Sequence, residues 1–160
     1  LKRCLELRMI EYTKAKLSDI VLMQGVVKPE VEKGIILFRS SDEMATNIRS
    51  YILAKNGSEI IGFGALHFHA DNLAEIRSLV VKEDFRGQGV GKGIIQNLLK
   101  EGKEMGLNEV FTLTYQRSFF EALGFHEISK EKLPPHKIWA DCIKCKHFPV
   151  CDEIALIKTI

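Results

Sequence analysis

Leu79-Val80-Val81-Lys82-Glu83-Asp84-Phe85-Arg86-Gly87-Gln88-Gly89-Val90-Gly91-Lys92-Gly93 decides how this chain folds. It leaves an apolar strand, Glu75 to Val81, crosses a glycine-rich loop, Arg86 to Gly93, and opens an amphipathic helix through Ile94, Ile95, Leu98 and Leu99. Four glycines in eight residues let the main chain approach a ligand and turn its N–H groups inward. The helix adds unpaired N–H groups and the positive end of its dipole. Gly87, Gln88, Gly89, Val90, Gly91 and Lys92 thus read as an anion cradle suited to a diphosphate, with Arg86 and Lys92 adding charge. A plain flexible turn is the bland alternative. Two other nucleotide patterns are absent: there is no G-x-x-x-x-G-K-[ST], and no G-x-G-x-x-G in a repeated βαβ unit.

Outward from that loop, strands alternate with helices. Ser18-Asp19 caps a helix through Ile20, Val21, Met23 and Gln24, and Ser40-Ser41-Asp42-Glu43 opens another, expected from Met44 to Leu53 because Met44, Ile48 and Ile52 recur at spacing four. The first half therefore reads as helices followed by a pair of strands. Asn56-Gly57 and Asp71-Asn72 are turns around a strand from Glu59 to Phe68. After the central helix, ended by Gly106, come a strand at Glu109–Thr114, a short helix at Ser118–Leu123 stopped by Gly124, and strands at Phe125–Ser129 and Glu153–Ile160. The class is mixed α/β (α+β), with one domain over 9–160. Residues 1–8 read as a non-native or disordered N-terminal extension ahead of Met9.

Composition sets the outer limits. The chain has 160 residues, 46% hydrophobic and 28% charged, with a formal net charge of +2. That mild balance argues against a general nucleic-acid binder. No apolar run is long enough for a membrane span, and no signal-like apolar stretch opens the chain, so the cytoplasm is the default compartment. The final strand, Ile154 to Ile160, is a candidate for pairing across a homodimer.

The flanks of the loop carry a resemblance. Arg86-x-x-Gly89-x-Gly91 after a strand resembles the acetyl-CoA signature of the GNAT superfamily of N-acetyltransferases. Phe119-Phe120-Glu121-Ala122-Leu123-Gly124-Phe125 is similar to that superfamily's closing F-Y-E-x-L-G-F segment. Further stretches resemble the short, single-domain amino-acid N-acetyltransferases, the N-acetylglutamate synthases of bacterial arginine biosynthesis: Gly34 to Arg39, Gly64 to His67, Glu75 to Val81, Phe111 to Tyr115, and Lys137-Ile138-Trp139 with Asp141-Cys142.

The resemblance implies a GNAT fold, a mostly antiparallel sheet splayed at its cosubstrate site and flanked by helices. It also implies direct acetyl transfer from acetyl-CoA to a small-molecule amine, with L-glutamate as the expected acceptor. Leu79, Val80 and Val81 would pair with the pantetheine amides, and the N–H near Leu79 or Val80 would polarise the thioester carbonyl. Glu75 is the expected base, against an exposed glutamate paired to a neighbouring arginine. Phe120 stands where many relatives have a tyrosine acid, so Tyr115 or a water is the substitute, beside a structural role for Tyr115. Arg39, Arg77 and Arg117 are candidates for the substrate carboxylates, and Arg77 shares strand parity with Glu75. The rivals are the same chemistry on glutamine, another amino acid, a polyamine or a protein N-terminus, and a non-catalytic CoA- or arginine-sensing domain.

Cys142, Cys145 and Cys151 with His147 could be packed thiols, a zinc site or a disulfide or sensor, and no metal is assigned. His67 and His69 alternate on a strand and read as an exposed face rather than a metal pair or base. Trp139 reads as a lid or core anchor.

Overall fold

The computed structural model describes residues 9–135 and 153–160. Residues 1–8 and the segment with Trp139, Cys142, Cys145, His147 and Cys151 lie outside the described residues. The strands are β1 (Ile10–Lys14), β2 (Tyr51–Asn56), β3 (Glu59–Ala70), β4 (Leu73–Val81), β5 (Glu109–Thr114), β6 (His126–Ile128) and β7 (Ile154–Thr159). The helices are α1 (Ile20–Glu32), α2 (Ser41–Thr46), α3 (Val90–Glu104) and α4 (Arg117–Glu121). The strands form one sheet in the order β1-β2-β3-β4-β5-β7-β6. Every pair is antiparallel except β4 with β5.

Both faces of the sheet are covered. Ile52, Ile61, Leu66 and Ile76 pack under Ile94, Ile95 and Leu98 of α3, together with Phe120 and Phe125. On the other face Tyr51, Leu53, Phe63, Ala65 and Val80 meet Ile20 and Met23 of α1 and Met44 of α2. Each such side chain removed from water contributes about 1.5–3 kcal/mol. Close contact of β3 with β4 and α3 requires glycine: a Cβ on Gly62 would stand 2.6 Å from the Val80 carbonyl oxygen of β4, and one on Gly64 3.0 Å from Ile94 of α3.

Three expectations are corrected. The helix expected from Met44 to Leu53 ends at Thr46, and Tyr51 begins β2. Tyr51 to Ala54 are all buried because a central strand covered on both faces shows no alternation, which lets spacing-four residues mimic a helix. β1 was not anticipated; it is short and at the edge, and only Ile10 and Tyr12 of its residues pack against the α3 core. β7 is no free edge for a dimer, since β5 and β6 pair with its two sides. Other local signals hold: the Ser40 side chain accepts from the Glu43 N–H at 3.1 Å, and Gly106 and Gly124 have left-handed φ of 87° and 92°.

Candidate active site

β4 and β5 run parallel but pair only from Leu73–Glu75 to Glu109–Phe111. Beyond that point they part. At the fork the Thr112 hydroxyl donates to the Ile76 carbonyl at 2.9 Å, taking the place of the next ladder bond. Ser78 then adopts φ 59°, a left-handed conformation that costs a residue bearing a Cβ about 1–2 kcal/mol. Opposite it, β3 passes from Phe63 to Ala65 while β4 passes from Val80 to Arg77, so the bulge inserts one extra residue and bends β4 away from β5. The β4 edge from Ser78 to Val81 is left able to accept another extended chain. Tyr115, 39% exposed, follows β5 at the wide end of the fork.

The glycine loop closes that end. Gly87 and Gly89 have φ of 74° and 83°, and no atom lies within 4 Å of where their Cβ atoms would stand. Gly93 donates to Gly89 as the helical ladder begins, so the N–H groups of Val90, Gly91 and Lys92 precede it. The cradle fits a diphosphate. Arg86 ties the loop to β4 and α1: its Nε donates to the Val81 carbonyl at 2.8 Å and its Nη2 to Glu30 at 2.9 Å. Lys92 is exposed on the first turn of α3.

Glu75 lies at the closed end of the fork. Its side chain is 2% exposed and that of His69 3%, with His69 Nε2 2.9 Å from Glu75 Oε1. This corrects the reading of the His67–His69 face as exposed. His69 is the bulged residue between the Phe68 and Ala70 pairings, and its ring stacks on Phe111 at 5.4 Å between centroids. Arg77 is on the same face as Glu75, since Glu75 pairs with His67 and Arg77 with Ala65. Arg77 and Arg39 both act on the Tyr51 phenol, which burial nevertheless holds above its ordinary 10.0, so it stays protonated. Arg39 also donates to Glu43 at 2.7 Å. Arg117 stands apart: it pairs outward with Glu121 at 3.4 Å and Glu127 at 2.7 Å, toward β6. Phe120 is buried edge-on between Phe119 and Phe125 at 5.1 and 5.2 Å, with no hydroxyl to offer a leaving thiolate.

Tyr51 and Thr112 are candidate site residues that sequence reading missed, and His69 was named there but read as exposed. The turn at Asp71-Asn72 was the available signal for His69, because it folds β3 back so that residues near 68 face residues near 74. Among the described residues no group of three or more His, Cys, Asp or Glu is placed to hold a metal.

A parallel strand pair splayed at a bulge, with a glycine loop and helix N-terminus at its wide end, defines an acyltransferase scaffold. Residues 19–127 match the acetyltransferase (GNAT) family, and the chain belongs to it; acetyl-CoA is the cosubstrate of that family's chemistry. It is 39% identical to an uncharacterized N-acetyltransferase of Chlorobaculum tepidum over 91% of this chain and 94% of that one. It is 30% identical to an amino-acid acetyltransferase of Mycobacterium tuberculosis over 72% of this chain and 67% of that one. The fold also matches N-acetylglutamate synthase of Neisseria gonorrhoeae, crystallised with coenzyme A and N-acetyl-glutamate, with a TM-score of 0.85 at 20% identity. That match covers 95% of this chain and 35% of the neisserial one, so this chain spans about a third of that enzyme.

Proposed function

We propose that this chain acetylates the α-amine of an amino acid, L-glutamate first, as in the opening step of arginine biosynthesis. The observation that carries the reading is the buried Glu75–His69 pair at the fork, with Arg77 two positions along the same face. The N–H groups from Gln88 to Lys92 would hold the diphosphate, and the β4 edge at Leu79 to Val81 the pantetheine amides. Bound acetyl-CoA supplies a thioester whose thiolate, of pKa about 8.5, leaves with little acid assistance. Phe120 is therefore compatible with turnover, and Tyr115 or water serves as proton donor.

An ammonium cannot attack, so Glu75 takes its proton before transfer. The Leu79 or Val80 N–H polarises the carbonyl that the amine attacks. Arg77, with Arg39 beside Tyr51, orients the acceptor's carboxylates, for which a guanidinium fork is suited. The amino-acid acetyltransferases among the relatives support the same acceptor class.

Free-thiol release from acetyl-CoA against a panel of L-glutamate, L-glutamine, other amino acids, spermidine and an N-terminal peptide tests this. L-glutamate should react fastest. Activity confined to polyamine or peptide overturns the acceptor assignment, and binding of acetyl-CoA without turnover on any amine favours a sensing domain.

A further inference from the structure

An anion seat made of main-chain N–H groups works best when the loop is held in shape before the ligand arrives. The glycines between Arg86 and Gly93 work against that, because glycine has the most backbone freedom to lose. Phe85 and Val90 anchor the two ends of the turn in the core. Between them Gly87 and Gly89 are exposed, and among the described residues a Cβ on either would meet nothing within 4 Å. Gln88 reaches back to the Asp84 carbonyl at 3.5 Å, within the same turn. Arg86 reaches further. Besides Val81 of β4 it donates to Glu30 near the end of α1. The Glu30 side chain is only 11% exposed, and Lys33 approaches it at 3.7 Å, outside hydrogen-bond reach. The Glu30 carbonyl accepts from the Ile35 and Ile36 N–H groups at 2.9 and 3.3 Å, which fixes the end of α1 without the carboxylate. A nearly buried carboxylate on one guanidinium adds little to stability, since its desolvation offsets the attraction. What the pair does determine is where Arg86 is held.

We propose that Glu30 is a positioning residue for the coenzyme diphosphate: through Arg86 it fixes the glycine loop with the N–H groups of Gln88 to Lys92 aimed at the phosphates. Arg86, with Nε on Val81 and Nη2 on Glu30, acts as a strut between β4 and α1. The proposal rests on the reading of that loop as the diphosphate seat.

The test is coenzyme A affinity by titration calorimetry for wild type, Glu30→Gln, Arg86→Gln and the double variant, with a melting scan to check folding. Glu30→Gln should weaken coenzyme A about 5-fold, the size a half-exposed ion pair supports, and should add nothing in the Arg86→Gln background. In steady state its acetyl-CoA KM should rise by the same factor, with kcat and the KM for L-glutamate, or the fastest amine of the panel, unchanged. S-acetylpantetheine, a thioester without the diphosphate, should react with wild type and Glu30→Gln at equal kcat/KM. Tighter coenzyme A binding by Glu30→Gln overturns the proposal, because Arg86 would then be a phosphate ligand that Glu30 holds back. An equal loss on both thioesters, or an amine KM that rises in step with that for acetyl-CoA, also overturns it, as a general loosening of α1. Wild type that uses both thioesters equally well overturns the diphosphate seat and the strut together. Wild type that prefers acetyl-CoA, alongside Glu30→Gln at wild-type affinity, overturns the strut alone. If Glu30→Gln does not fold, the half-exposed Arg86→Gln decides by the same comparison of thioesters.

Discussion

Glu75 and Arg77 sit two positions apart on one face of β4, so their substitutions should separate in kinetics. Glu75→Gln keeps the shape and a hydrogen bond to His69 but cannot take a proton; kcat should fall about 100-fold with acetyl-CoA affinity unchanged, as read by steady-state kinetics. Arg77→Ala should instead raise the KM for L-glutamate about 10- to 100-fold, the worth of about 1.5–3 kcal/mol for a hydrogen bond to a charged group. Its effect on an amine without carboxylates should be small. The parity of 75 and 77 is legible in sequence because a strand alternates every two residues. The contact of Glu75 with His69 is not, since it depends on a bulge that sets where β3 crosses β4. Tyr51 was hidden for another reason: a helical spacing of Met44, Ile48 and Ile52 ran straight through the start of a central strand.

The glycine loop and α3 could be read directly because their signals are local: four clustered glycines, two of which take a positive φ, followed by an apolar stripe. The fork could not. It arises from Ser78 in a left-handed conformation and from Thr112 holding the Ile76 carbonyl, and neither residue type announces that role. Two substitutions probe these elements. Gly89→Ala forces a Cβ residue to φ 83° and should cost about 1 kcal/mol of stability and weaken acetyl-CoA binding, seen in a urea titration and in the acetyl-CoA KM. Gly62→Ala would press on the Val80 carbonyl, on the strand arm assigned to the pantetheine; it should cost about 1–3 kcal/mol and raise the same KM.

The two-sided core accounts for a pH dependence of the fold. Burial holds the Tyr51 phenol, and to a similar end that of Tyr12, above 10.0. The folded chain then keeps protons that the unfolded chain releases above pH ~10, so stability is full below that pH and falls as pH rises through it. Tyr51→Phe should make this alkaline decline shallower, measured as urea midpoints at pH 8 and 10.5. Among the described residues no helix is long and apolar enough to cross a membrane. The proposed function makes the sheet, the fork and the loop one continuous seat for a thioester donor beside Glu75, the proposed base. A crystal structure with coenzyme A tests that seat most directly. The diphosphate should rest on the N–H groups of Gln88 to Lys92, with the pantetheine alongside Leu79 to Val81 and its sulfur toward Glu75. Coenzyme bound elsewhere, or a vacant fork at millimolar coenzyme, would contradict it.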